Sequence, residues 1–312
     1  MTRIGKFFIT IGESLTTFLN KIRTRLGIGH CHSLSLPRKV LMVFGIVIML
    51  IYPVSAFLAH RIDDDLEFRA PPEDNASLLV ANTVALINRE VVDNTWIANK
   101  PKIFPQALLL DNMPNYQIGI IQGLEAAVKG IAMHFSSIRI SDAATKLGKD
   151  GRSWGFGKDS AVKSYISAGN TLQEEAFAIG MDKELFTLLS GELSSALAVR
   201  IEASGKVIEE NTLFKTDNYF YHNKGLMYAM YILLRAANEE LQEQDASEFI
   251  DKEVAAVLEL LATAVNYDPV IVYGMSSTPS VLSNHLLVQT YYMMKIRDGL
   301  STILRMKDTT NE

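Results

Sequence analysis

The stretch NYQIGIIQGLEAAVKGIAMHFSSIRISDAATKL, residues 115–147, decides the fold class. Ile118, Ile121, Leu124, Val128, Ile131, Phe135 and Ile138 recur along it at intervals of three and four. An α-helix turns once in about 3.6 residues, so these side chains share one face and predict a long amphipathic helix. The same spacing continues on both sides. Residues 75–92 carry Val80, Val84, Ile87 and Val91, and residues 184–201 carry Phe186, Leu189, Leu193, Leu197 and Ile201. Residues 226–241 carry Met230, Leu233 and Ala237; residues 247–265 carry Val254, Val257, Leu261 and Val265. Residues 279–306 carry Leu282, Leu286, Met293, Ile296, Leu300 and Ile303. The best strand candidate is Val270-Ile271-Val272-Tyr273, only four residues long. The expectation is an all-α domain of six or seven helices over residues 75–307, with a short tail, 308–312, and major breaks at 148–158 and 266–279. That is ample chain for one sizeable core.

Of 312 residues, 48% are apolar and 21% charged, which excludes a disordered or collagen-like chain. A single Cys excludes a disulfide framework and a Cys-based zinc cluster. The net charge of −5 hides an asymmetry. Residues 1–39 hold seven Lys or Arg against one acid, a net of +6, and the remainder carries −11. Such an acidic body argues against binding a nucleic-acid backbone.

Between the two regions lies VLMVFGIVIMLIYPVSAFLA, residues 40–59, twenty residues without a charge. As a helix it spans roughly 30 Å, one hydrocarbon thickness. Pro53 would break a soluble helix, whereas a membrane helix absorbs it as a kink. Arg38 and Lys39 abut one end and Asp63, Asp64 and Asp65 follow the other. The positive-inside rule then leaves residues 1–39 in the cytoplasm and the rest across a bacterial inner membrane, in the periplasm of a Gram-negative cell. A cleaved signal peptide is the rival reading, since Val54-Ser55-Ala56 offers small residues. The charged preface and the apolar run both exceed the usual signal-peptide dimensions, which favours an uncleaved single-pass anchor over residues 40–60. Cys31 precedes the run and is no lipoprotein cysteine.

Residues 6–26 form a basic amphipathic helix in this reading, with Phe8, Ile11, Leu15, Phe18, Ile22 and Leu26 on one face. Lys21, Arg23 and Arg25 would meet the anionic inner leaflet, the alternative being a partner helix. Beyond the anchor, residues 61–74 include DDDLEFRAPPED, six acids and two prolines, expected to be a solvated linker.

The densest unusual stretch is residues 96–123. Trp96, Asn99, Asp111, Asn112, Tyr116 and Gln117 form either a polar pocket or a rigid corner in which Asn112 or Asn115 caps the following helix. The run Trp96-Ile97-Ala98-Asn99-x-Pro101, followed by Leu110-Asp111-Asn112-Met113-Pro114-Asn115-Tyr116-Gln117-x-Gly119, resembles the signature block of an uncharacterised family of bacterial inner-membrane proteins. Its members have one N-terminal membrane helix and an outer domain of unknown function. Residues 219–235 and 283–297 are compatible with it, so the resemblance runs from residue 62 to the C-terminus. It implies a helical envelope domain and brings no catalytic residues.

Other motifs are weaker. GRSWGFGKDS, residues 151–160, lacks phosphate-loop spacing, and its Trp154 and Phe156 are either a contact surface or a plug on the core. No His shows metal-ligand spacing, and no metal or cofactor is expected. Tyr219 and His222, three apart, would share a helix face. His285 and Gln289 are four apart, and Gln289 interrupts an apolar stripe, so it needs buried hydrogen-bond partners. Adjacent carboxylates such as Glu174-Glu175 diverge by about 100° on a helix and do not form a catalytic pair. Two functions lead, with carriage of a lipid or other apolar ligand, which needs a continuous apolar cavity, as a third. The first is an anchored envelope protein whose helical domain docks partner proteins. The second is a tethered hydrolase or ligand-binding protein, which requires Asp111, Tyr116, His222 and His285 to converge in a cleft.

Overall fold

A computed structural model describes residues 44–47, 49–50, 62–71, 76–94, 96–99, 112–153, 160–210, 213–243, 250–269, 272 and 284–309. The chain divides into two compact units, Met1–Tyr52 and Pro53–Glu312. Of the first, the described residues are helical and exposed. Among the described residues no helix is long and apolar enough to cross a membrane. Most of the apolar run, all of residues 6–26, and Asp111, Trp154, Phe156 and the Val270-Ile271 and Tyr273 positions lie outside the described residues.

The second unit is all-α among the described residues. Helix α1 (Leu78–Asn88) is capped by Ser77, whose hydroxyl accepts from the Val80 amide, and runs into a π-helical turn, Arg89–Asp93. Helices α2 (Asn112–Phe135) and α3 (Ile138–Leu147) follow. Then come α4 (Ala161–Glu175), a 3₁₀ turn (Ala176–Ala178) and α5 (Lys183–Glu210). Helices α6 (Leu213–Gln242), α7 (Asp251–Val265) and α8 (His285–Thr309) complete it.

Three differences from the sequence expectation have physical causes. The stripe of residues 115–147 is two helices: Ser136 takes a left-handed φ of 48° and Ser137 caps α3 through the Ile140 amide. Ile138, expected in the stripe, is 87% exposed as a result. Helix α4 was not anticipated, because its buried face is Ala161, Ser164, Tyr165, Ala168, Gly169 and Leu172, which reads as weakly apolar. Asn115 is no cap; α2 begins at Asn112, and Asn115 sits inside it, donating to Asn218 Oδ1 at 2.6 Å.

Helix α6 forms the axis. It touches α1, α2, α5, α7 and α8, and Leu226, Met227, Tyr228, Ala229, Met230, Ile232, Leu233 and Leu234 are all buried around its circumference. A helix apolar all round must be enclosed by others. Its approach to α2 is made by small residues: a Cβ on Gly123 would stand 2.8 Å from the Ala229 Cβ.

Candidate functional site

Lys224, Tyr228, Arg235 and Glu239 lie at intervals of four, seven and four on one face of α6. Along that face lies the acidic stretch of residues 62–71. Tyr116 on α2 donates its hydroxyl proton to the Asp63 carbonyl at 2.9 Å, and Tyr228 donates to the Asp65 carbonyl at 2.9 Å. Arg235 donates through one nitrogen to the Leu66 carbonyl and through another to that of Phe68. The Ala70 amide donates to Asn82 on α1 at 3.0 Å, and Arg69 pairs with Glu239. Ile62, Leu66 and Phe68 pack against the core. The solvated linker expected here is corrected over residues 62–71: it is a docked strap, because α2 and α6 supply buried donors for its carbonyls, Asn82 on α1 accepts from its Ala70 amide, and Arg89 and Lys224 face its acids.

The cations are costly to bury alone. Lys224, only 1% exposed, reaches Asp64 at 2.7 Å and Asp268 at 3.4 Å. Arg89 donates through Nη1 to the Tyr228 hydroxyl at 2.7 Å and through Nε to Glu90 at 2.8 Å, with Asp63 at 3.7 Å. Its guanidinium stacks over Phe68 of the strap, 4.6 Å from the ring centre. Burial works against the Arg89 charge, yet Glu90, Tyr228 and Tyr116 lift its pKa above the ordinary value. Glu90 is fully buried and its Oε2 has no hydrogen-bond partner. Burial therefore raises its pKa in spite of Arg89. Gln117 ties this turn to the next segment, donating to the Glu90 carbonyl at 3.0 Å and accepting from the Ile97 amide at 3.2 Å.

A second polar network crosses α5, α6 and α8. Gln289 donates to the Phe220 carbonyl at 3.0 Å and accepts from Asn223 at 3.1 Å. Asn223 also donates to Ser204 at 2.9 Å and accepts from Arg200 at 2.9 Å. Arg200 stacks over Tyr219, and burial draws its pKa down to about 10. His222 pairs through Nε2 with Gln122 at 2.7 Å. Burial, with Arg200 and Arg152 adding, holds its pKa well below the usual imidazole range.

The sequence candidates thus separate. Trp96 is a corner residue, donating to the Gly151 carbonyl at 2.9 Å and meeting Tyr165 edge-on. Asn99 is half-buried beyond it, and Asn112 bonds the Tyr221 phenol. Tyr116 and Gln117 belong to the strap clamp, Tyr219, His222 and Gln289 to the second network. His285 instead stands edge-on to Tyr267. Tyr116, His222 and His285 do not converge, so the cleft that the hydrolase reading requires is not assembled from them. The pair His134–Asp182, at 3.2 Å, ends α2 where Asp182 also caps α5 through the Leu185 amide, a structural use of both. No cluster of potential metal ligands occurs among the described residues.

The clamp residues Arg89, Glu90, Lys224, Tyr228 and Arg235 were missed. Their signal was a charge inside an apolar run, as at Arg235 after Tyr231-Ile232-Leu233-Leu234, but apart from the Arg89–Glu90 and Arg235–Glu239 pairs the partners lie far away in sequence.

On the surface, α8 turns Leu287, Tyr291 and Met294 outward, 52%, 56% and 43% exposed. Their intervals of four and three place them in one stripe, with the Lys295 ammonium 5.7 Å from the Tyr291 ring centre. A groove of about 460 Å³ beside Met133 and Ile138 is a second exposed apolar feature. Comparison with protein-family models, with curated proteins and with solved structures finds no match to this chain.

Proposed function

We propose that the chain is a single-pass, membrane-anchored envelope protein whose helical domain docks a partner protein. The anchor rests on the sequence: twenty uncharged residues, a +6 segment before them and a −11 body after them. The resemblance to inner-membrane proteins with one N-terminal membrane helix agrees with this topology. In it, residues 1–39 face the cytoplasm and the helical domain faces the periplasm.

The docking role is carried by the α8 stripe. Isolated exposed apolar side chains are common, but three in register on one helix present a ridge that another helix can cover. The occupant this surface fits is an amphipathic helix of a partner protein, with an acid opposite Lys295. A scaffold role agrees with the interior, where Lys224 and Arg235 hold the docked strap and Gln289 and Asn223 tie α5, α6 and α8 together.

Two measurements test the proposal. A periplasm-dependent reporter fused to the C-terminus should be active and a cytoplasm-dependent one silent; the reverse overturns the anchor. A photocrosslinking residue at Leu287 or Tyr291 in intact cells should give one discrete protein adduct that Met294→Glu weakens and that the same probe at Glu243 does not form. Equal labelling at all three positions overturns the docking face.

A further inference from the structure

The inward-facing cations of the helical domain stand beside acids, with one exception. Arg89 meets Glu90 at 2.7 Å, Lys224 meets Asp64 at 2.7 Å, and Arg235 lies 3.9 Å from Glu239. Lys146 and Arg297, half-buried, pair with Asp142 and Asp298. Among the described Lys and Arg that are not fully exposed, only Arg200 on α5 forms no ion pair with a carboxylate. Its Nε donates to Asn223 and its face lies 4.8 Å from the Tyr219 ring centre. Its Nη2 is shut off from solvent and bonds nothing among the described residues. A buried charge without a counter-charge and a buried donor without an acceptor are both costly.

A second arginine without an acid belongs to the same cluster. Arg152, exposed in the turn after α3, donates through Nη2 to Asn115 Oδ1 on α2. Asn115 in turn donates to Asn218 Oδ1, and Asn218 directly precedes Tyr219, on which Arg200 lies. This chain of contacts leads from one guanidinium to the other across the seam of α2 and α6. Along it, Arg152 Nε and Nη1 and the Asn218 amide nitrogen donate to no described residue. His222 adds an imidazole one turn beyond Asn218. The acids next in sequence are engaged by backbone: Asp150 accepts from the Arg152 amide and Asp217 from that of Asn218. The positive groups also oppose one another. Burial first, then Arg152, lowers the Arg200 pKa; burial, then Arg200 and Arg152, lowers that of His222.

The cluster thus holds two fixed positive charges and no ion-paired acid. A carboxylate would neutralise one of them. A phosphate monoester carries about −1.5 to −2 charge at pH 7 and three acceptor oxygens, and guanidinium forks match its geometry. We infer that Arg152 and Arg200, with Asn218 and His222, bind a phosphoryl dianion, either free phosphate or the phosphate monoester end of a small molecule. The site does not rest on the anchor or on the docking ridge.

The test uses the full chain in mild detergent near neutral pH, at constant ionic strength. Equilibrium dialysis against labelled inorganic phosphate should show saturable binding of one anion per chain. Arg152→Ala, at an exposed position, should weaken it about tenfold or more. Arg200→Met should abolish it, and Arg152→Ala decides if that variant does not fold. Arg139→Ala should leave binding unchanged, because Arg139 pairs with Glu174 and Glu175 on the surface. Glycerol 3-phosphate, glycerophosphoethanolamine and acetate are then tried as competitors. Glycerol 3-phosphate displacing more tightly than phosphate itself supports a monoester ligand; weaker or equal displacement supports free phosphate. Absence of saturation at millimolar phosphate, or equal weakening by Arg139→Ala and Arg152→Ala, overturns the site. Displacement by acetate or by the headgroup diester as good as that by phosphate overturns the dianion.

Discussion

Gly119 and the backbone carbonyl of His222 leave no room between them for a Cβ, which would overlap the carbonyl oxygen. The contact is reciprocated: a Cβ on Gly225 would overlap the Tyr116 carbonyl. Helices α2 and α6 therefore meet backbone to backbone, and this sets the depth at which Tyr116 and Tyr228 reach the strap. In a helix interior, Gly→Ala ordinarily stabilises by about 1 kcal/mol. Here the sign should reverse. Gly119→Ala and Gly225→Ala should each destabilise by about 2–3 kcal/mol, as overpacking does. Gly205→Ala on α5, with nothing within 4 Å of its Cβ, should stabilise by about 0.5–1 kcal/mol. Urea denaturation of the three variants checks the contrast, and equal signs would remove the close-contact account.

The helices were legible because an apolar stripe is a local signal. The 3.6-residue period of Leu193 and Leu197, or of Val257 and Leu261, needs no knowledge of partners. Helix α4 was hidden because its inward face uses Ala and Gly, whose burial depends on neighbours brought close by the fold. The four-residue spacings Gly119–Gly123 and Gly225–Ala229 were visible as letters, but which surface each faced was not. The strap was misread for a related reason. Six acids in twelve residues look solvated by composition, and the groups that reverse this, such as Lys224 and Arg235, lie more than 150 residues away.

Lys224 and Asp64 should respond unequally to removal. Lys224 is enclosed while the Asp64 side chain is 35% exposed, so the cost of an unpaired charge falls on the lysine. Asp64→Asn leaves the ammonium with Asp268 alone and should cost about 2–4 kcal/mol. Lys224→Met returns Asp64 to water and should cost under about 1 kcal/mol. The double variant should resemble Lys224→Met. Denaturation midpoints of the full-length protein in mild detergent give the answer; equal costs for the two single variants would mean that the lysine is not held by the strap.

Tyr116 and Tyr228 both clamp strap carbonyls, but Tyr228 also accepts from Arg89. Tyr116→Phe removes one neutral hydrogen bond, worth about 1 kcal/mol. Tyr228→Phe removes a neutral bond and a charge-assisted one, for about 2–3 kcal/mol in all. Amide exchange at Phe68, whose N–H bonds the Asp65 carbonyl at 3.1 Å, should quicken in the same order. Unchanged exchange in Tyr228→Phe would show that the strap is held by other contacts.

His222 should make stability fall in mild acid. Burial, with Arg200 and Arg152 adding, holds its folded pKa well below the unfolded value of about 6.5. Above about pH 6.5 the ring is neutral in both states and contributes nothing to the pH dependence. Below it the unfolded chain takes up a proton that the folded chain refuses, so each unit of acidification removes at most about 1.4 kcal/mol. Glu90 acts in the opposite sense. Burial raises its folded pKa, so the folded chain takes up that proton first and gains relative stability as pH falls through the raised value. The two effects run in opposite senses, and the wild-type curve alone does not separate them. His222→Gln, which can still meet Gln122, should remove only the first. The stability of wild type minus that of the variant should be flat above about pH 6.5 and decline below it. A difference that stays flat down to pH 5 would place the His222 ring in contact with solvent.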